Sequence, residues 1–193
     1  MFDLLLSHIQ NKVDLPEEQS NQIQTFFTYK KLRKKQYLLQ EGEICKCLSF
    51  VSKGLLKSYT SDEKGNEHIN MFAFEGWWTS DFNSFINQEK AVLNIDAVEE
   101  TEVLMITLDD YERLMLEIPV MDRYFRILYQ NSLVTKDYRL MVSNSFTAEE
   151  KYMQFALRNP EIIKKVPHNL IASYLGLAPE TVSRIRKKWS LNT

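Results

Sequence analysis

Residues His168–Thr193, HNLIASYLGLAPETVSRIRKKWSLNT, constrain the fold of this 193-residue chain more than any other stretch. Apolar side chains at Ile171, Leu175, Leu177, Val182 and Ile185 mark the inner faces of two short helices. Ala172 is small enough for the second helix to cross the first, and Gly176 supplies the positive φ that the turn between them demands. The pattern is a helix-turn-helix. Its second helix leaves Glu180, Thr181, Ser183, Arg184, Lys187 and Lys188 pointing outward. Such a face suits the major groove of duplex DNA, where arginine reads guanine and shorter polar side chains hold phosphates. A small α-hairpin on any protein surface can share the apolar rhythm. The alanine and glycine at fixed offsets argue instead for a DNA-reading unit.

The charge is distributed to match. The chain carries −2 overall, but residues 1–147 sum to −6 and residues 148–193 to +4. An acidic body with a basic end suits a protein that meets nucleic acid at one end only. With 44% hydrophobic and 26% charged residues, the composition is that of a globular protein. No apolar run reaches the length of a membrane helix. The opening MFDLLLSHIQNKVDL places Asp3 early and no basic residue before its apolar run, so no secretory signal is expected and a cytoplasmic location is the default.

Nothing in the sequence points to an enzyme: there is no phosphate loop, nucleophile motif or metal-ligand spacing. Asp109-Asp110 and Glu149-Glu150 stand at helix starts, where acids complement the dipole. Cys45 and Cys47 are too few for a four-cysteine cluster and, as i and i+2 neighbours on a strand, poorly placed for a disulfide. They read as small half-buried residues, and no metal site is expected.

The rest of the chain divides by hydrophobic period. Pro16 with Glu17 and Glu18 opens a helix expected to run to about Tyr29. The basic run KKLRKK at 30–35 reads as a solvated strand edge. Between Gln36 and Leu108, QYLLQ, CLSFVSK, LLKSYTS, HINMFAF, VLNIDAV and EVLMITL are short strands separated by turns, the pattern of a sandwich or barrel. WWTSDFNSFINQEKA reads as a short helix plus loop, and Tyr111, Leu114, Met115 and Ile118 as a helix ending before Pro119.

A long helix is expected over 120–145. Met121, Tyr124, Leu128, Asn131, Thr135, Tyr138 and Val142 recur in heptad-like steps and form its expected dimer seam; a second stripe runs through Phe125, Ile127, Val134 and Met141. At 1.5 Å per residue such a helix spans nearly 40 Å, longer than a small domain needs. Thr147-Ala-Glu-Glu150 is a capping box that starts the next helix.

On these residues the chain resembles the Crp/Fnr transcription regulators. IASYLG followed by PETVSRIRKK is similar to the family's DNA-reading unit. The turns at Gly42, Gly54 and Gly65, Glu-Gly-Trp-Trp at 75–78 and Thr-Glu-Val-Leu at 101–104 agree with its β-roll. The resemblance implies an α+β fold with three parts. Residues 1–119 form a double-stranded β-helix (jelly-roll) of the cyclic-nucleotide-binding type, residues 120–145 a dimerisation helix, and residues 146–193 a helix-turn-helix domain of winged-helix type.

By the same resemblance Glu180 and Arg184 take base-reading positions, and Thr181 and Ser183 base or phosphate contacts. Pro179 stands where the family often has arginine, which alters the expected half-site. Only Trp189-Ser-Leu-Asn-Thr193 follows the recognition helix, so no wing is expected there. The implied partners are duplex DNA, a second copy of the chain and RNA polymerase.

The sensory region departs from the family. Its cyclic-AMP cassette is glycine–glutamate followed by an arginine and a serine or threonine. Here the order is Glu75-Gly76, no arginine occurs between Arg33 and Arg113, and Lys90 is followed by Ala91. A buried phosphate without a bidentate arginine lacks its best partner. Cyclic AMP is therefore not expected as the ligand, and no cofactor is assigned. Glu75, Trp77, Trp78, Phe82, Phe85 and Lys90 are the candidate lining of a different pocket, against plain burial of the aromatics. A cyclic-AMP- or cyclic-GMP-responsive regulator, or a ligand-binding module with a vestigial helix-turn-helix, are the alternatives.

Overall fold

The computed structural model describes residues 2–190, so Leu191–Thr193, where a wing would begin, lie outside the described residues. The chain divides into two compact units: residues 1–60 with 71–130, and residues 61–70 with 131–193.

The first unit opens with α1 (Asp3–Gln10) and α2 (Glu17–Gln24). The expected helix from Pro16 ends at Gln24, short of Tyr29. Phe26 and Phe27 are buried core residues, and the chain is already extended at Thr28. Eight strands follow: β1 (Thr28–Leu32), β2 (Tyr37–Leu39), β3 (Cys47–Lys53), β4 (Leu55–Ser61), β5 (Glu67–Phe74), β6 (Trp78–Thr79), β7 (Asn94–Ala97) and β8 (Thr101–Thr107). The short helix α3 (Phe82–Asn87) lies between β6 and β7, and α4 (Leu108–Glu117) follows β8. The strands form two four-stranded sheets, ordered β1-β8-β3-β6 and β2-β7-β4-β5. This is the expected β-roll, with the lysine-rich β1 on a sheet edge.

The middle strands of the first sheet, β3 and β8, are largely buried on both faces. Phe50 pairs with Leu104 and Leu48 with Ile106, while Ser49 pairs with Met105 and Val51 with Val103 on the opposite face. The Leu48–Phe50 face packs on aromatics: Trp78 lies 5.2 Å from Phe50 and 5.4 Å from Phe125, and Tyr111 lies 4.8 Å from Phe125. Inside this cluster the Tyr124 hydroxyl accepts from Trp78 Nε1 at 2.9 Å and contacts His8 Nδ1 at 2.6 Å. Burial, assisted by the Lys12 ammonium, lowers the His8 pKa to about 4.

Gly54 turns β3 into β4 at φ +92°, and a Cβ there would stand 2.5 Å from the Glu100 carbonyl oxygen. Only glycine meets both demands.

The second unit holds the distal part of α5 (Val120–Ser145), then α6 (Ala148–Arg158), α7 (Pro160–Lys165), α8 (His168–Leu175) and α9 (Pro179–Ser190). Both hydrogen bonds of the Thr147–Glu150 capping box are present at the start of α6. Ile69, Tyr152, Phe155, Ala156, Ile162, Val166, Ile171, Ala172, Val182 and Ile185 are the buried apolar residues of this unit among those described.

The tip of the β4–β5 hairpin, residues 61–70, belongs to the same unit. Asp62 closes the tip by accepting from the backbone N–H groups of Lys64 and Asn66 and from the Asn66 side chain, which holds its pKa down at about 2. Ser173 on α8 then clasps the hairpin. Its hydroxyl donates to the Glu67 carbonyl at 2.6 Å and accepts from Ile69 N–H at 2.9 Å. Arg139 adds a hydrogen bond to the Asn70 carbonyl at 2.7 Å and lies 4.2 Å over the Tyr174 ring. No helix among the described residues is long and apolar enough to cross a membrane.

Candidate nucleic-acid interface and effector cavity

Gly176 ends α8 in the left-handed conformation at φ +65°. Leu177 N–H returns to the Ala172 carbonyl and Gly176 N–H to that of Ser173, which closes the turn. No heavy atom would crowd a Cβ on Gly176, so backbone conformation alone calls for glycine there. Pro179 begins α9, where its missing N–H costs nothing. Ala172 and Val182 are fully buried at the crossing of the two helices.

The recognition helix sorts its residues as its period requires. Glu180, Ser183, Arg184, Lys187 and Lys188 are exposed and Thr181 is half-buried, while Val182 and Ile185 point inward. Glu180, Arg184 and Lys187 recur at i, i+4 and i+7 and so share one outward stripe. Lys188 pairs with Glu149 of α6 at 2.9 Å, which anchors the end of α9 to its own unit. Arg186 is not on the outward face; it is half-buried and lies against His168 of α8. That arginine and partial burial lower the His168 pKa.

Two residues of the expected seam of α5 turn inward. Met121 and Tyr124 are fully buried in their own unit's core and cannot meet a partner. Leu128 and Val142 are half-buried, Tyr138 is half-buried beneath Arg158 at 4.0 Å, and Asn131 and Thr135 are exposed polar positions. The apolar residues facing solvent are Leu133 (61% exposed), Val134 (67%), Leu140 (63%) and Met141 (43%). Val134 and Met141 belong to the second stripe read from the sequence; Leu133 and Leu140 belong to neither.

The candidate effector residues do not line one cavity. Phe85 is fully buried in the core, and Trp78 is held in the aromatic cluster. Glu75 accepts from Gly54 N–H, and Trp77 packs edge-on to Phe74 while 42% exposed. Phe82 is 43% exposed beside Tyr129, with 5.1 Å between ring centres. Lys90 is exposed and bridges Ile44 through the backbone.

The acid that organises this region is Asp81. It is buried at the start of α3 and accepts from Ser84, Val92 and Leu93 N–H groups at 2.9–3.2 Å. Ser84 completes the scaffold, accepting from Cys45 N–H and donating to the Glu89 carbonyl. The Asp-x-x-Ser spacing before a short apolar helix was the signal for this cap.

A cavity of about 500 Å³ opens elsewhere in the roll. Leu39 and Ile95 line it from one sheet, and Ser49, Thr79 and Met105 from the other, with Cys45 and Cys47 near Lys30 and Lys46. Both cysteines are free, and burial pushes both thiols up, which makes them weak nucleophiles. No cluster of His, Cys, Asp and Glu suited to a metal occurs among the described residues.

Along the chain, two four-stranded sheets are followed by a long helix and a C-terminal helix-turn-helix. Residues 29–117 match the cyclic nucleotide-binding domain family. FixK2 from Bradyrhizobium japonicum is similar over 86% of this chain and 85% of its own, at 20% identity and TM-score 0.72. A Crp/Fnr family regulator from Eubacterium rectale covers 93% and 85%, at 19% identity and TM-score 0.68. The catabolite activator protein of Thermus thermophilus covers 93% and 85%, at 20% identity and TM-score 0.59. No curated protein sequence matches the chain. The chain carries a cyclic nucleotide-binding-type domain and has the fold of the Crp/Fnr transcriptional regulators.

Proposed function

We propose that the protein is a sequence-specific DNA-binding transcriptional regulator of Crp/Fnr type that works as a homodimer and does not use cyclic AMP as its effector. The observation that supports this reading is the outward stripe of α9, on which Glu180 and Arg184 are exposed and, in a major groove, would meet base edges. Thr181 and Ser183 flank them, and Lys187 and Lys188 supply phosphate attraction at the basic end. RNA polymerase is the further partner that a regulator of this type engages on DNA.

Dimerisation is assigned to the exposed stripe Leu133, Val134, Leu140 and Met141. Four large apolar side chains in water on one helix favour a partner that covers them. Two copies related by a two-fold axis present two recognition helices to a pseudo-palindromic site with half-sites about 34 Å apart.

The cassette chemistry argues against a cyclic phosphate. Both carboxylate oxygens of Asp81 are engaged by backbone N–H groups, Lys90 is exposed, and no arginine lies between Arg33 and Arg113.

A random-site selection with the purified protein tests the reading. It should enrich a two-fold symmetric sequence, with or without cyclic AMP. Enrichment of no sequence would favour a vestigial helix-turn-helix, and enrichment only with cyclic AMP would restore that nucleotide as effector. Sedimentation should find a dimer that Leu133→Glu with Leu140→Glu converts to monomer; an unchanged dimer would refute the assigned face.

A further inference from the structure

We propose that Arg139 and Arg158 are positioning residues that lock the recognition helix to the dimer face of α5, and so fix how far apart the two halves of the DNA site must lie. The inference rests on the dimeric regulator reading and names what sets the spacing in it.

Every group in the argument belongs to the second unit. On the distal part of α5, Leu133, Val134, Leu140 and Met141 face solvent, while Tyr138 and Arg139 are half-buried. Three contacts tie that half-buried side to the helices that follow. The Arg139 guanidinium lies 4.2 Å over the Tyr174 ring of α8 and donates to the Asn70 carbonyl at 2.7 Å. The Arg158 guanidinium of α6 lies 4.0 Å over the Tyr138 ring. Lys151 of α6 donates to the Ser143 carbonyl at 2.8 Å. The two arginine contacts are reciprocal. In one α5 supplies the cation and in the other the ring, and they reach two different helices.

Only Phe146 and Thr147 join α5 to α6. A bare link of that kind would act as a hinge and let the two recognition helices of a dimer take many separations. A guanidinium seated on a ring face sets an angle as well as a distance. Two such contacts, on α6 and on α8, hold the link closed. Their effect passes directly to α9. Tyr174 lies two residues before the Gly176 turn, and Ala172 and Val182 are buried where α8 and α9 cross. Tyr152 of α6 is edge-on to Trp189 of α9, with 6.1 Å between ring centres. The recognition helix therefore follows α5. Each added base pair moves the second half-site by about 3.4 Å and turns it by about 35° around the duplex. A locked dimer fits one spacer length.

Random-site selection on the full chain reads spacer length directly. The unsubstituted protein should enrich a symmetric site with a single spacer. Arg139→Met with Arg158→Met keeps both side-chain stems and removes both cations. This variant should also enrich spacers one and two base pairs longer or shorter. It should bind the preferred full site about tenfold more weakly, yet a half-site duplex within about twofold of the unsubstituted protein, because the second recognition helix loses effective concentration while each one still reads. Tyr138→Phe with Tyr174→Phe keeps both ring faces and should retain the single spacer.

A single spacer that survives in the folded methionine variant would overturn the proposal. So would half-site binding that falls as far as full-site binding, the mark of a merely structural role. The unsubstituted arm stands even if a variant fails to fold, since several spacers enriched alike by that protein would also overturn the lock. Enrichment of no symmetric site by the unsubstituted protein is a different failure, which removes the dimeric regulator reading and this inference with it.

Discussion

The roll and the helix-turn-helix unit solve the same problem at different scales. The roll buries a continuous core from Leu5 to Phe125, with Tyr111, Tyr124, Phe50, Phe85 and Trp78 at its centre. The C-terminal unit rests on a much smaller buried set, yet it presents Glu180, Arg184 and Lys187 as an outward stripe on α9. A thick core tolerates change at the ligand-facing wall because the strands are held from behind. A thin one leaves its working helix little freedom, since every third or fourth residue of α9 is committed to holding it down.

Substitutions that separate the two units probe that contrast. The largest effect is expected from Gly54→Val in the roll. Strain at positive φ and collision with the Glu100 backbone should cost about 4 kcal/mol, read as a lowered denaturation midpoint, with no comparable loss for valine at the uncrowded Gly42. Next is Asp81→Asn. An amide cannot accept from three N–H groups as the carboxylate does, so about 2 kcal/mol should be lost, with amide exchange rising first over 82–93.

In the other unit, Arg184→Ala should leave the melting temperature unchanged. It should relax base preference at a cost of about 1–3 kcal/mol in specific binding, whereas Lys187→Ala weakens all sequences alike. Equal losses on selected and random DNA for both variants would remove the distinction between a reading and an anchoring residue.

The smallest effect is the pH dependence of the roll. His8 titrates at about 4 when folded and near 6.5 when unfolded, so the unfolded chain binds the extra proton between those values. Stability is therefore full above 6.5 and declines as pH falls toward 4. Discounted for half exposure, the decline is about 1–2 kcal/mol. It should vanish in His8→Gln, as followed by thermal melts across that window.

The helix-turn-helix was legible because its evidence is local. Gly176, Ala172 and the apolar period sit within one short segment, and the capping box at Thr147 is complete in four residues. The side of α5 that faces outward was not legible. Its sequence carries two mixed stripes, and Tyr124 is held inward by Trp78 and His8, which lie far away in the chain. The same non-locality misled the pocket assignment. Trp78 and Phe85 look free in sequence and are filled in by strands and helices elsewhere. The cavity between the sheets needs six strands, β1, β2, β3, β6, β7 and β8, brought together before it exists at all.

The clasp of Ser173 on the hairpin tip has a consequence for anyone who would take the molecule apart. Its two hydrogen bonds join residues 104 and 106 positions apart, so the C-terminal unit is assembled from two stretches of polypeptide rather than one. A fragment starting at residue 131 would leave behind the main-chain groups of Glu67 and Ile69, and with them the brace on α8. Expression of the tail alone should yield a looser unit, and adding the missing loop as a free peptide should tighten it.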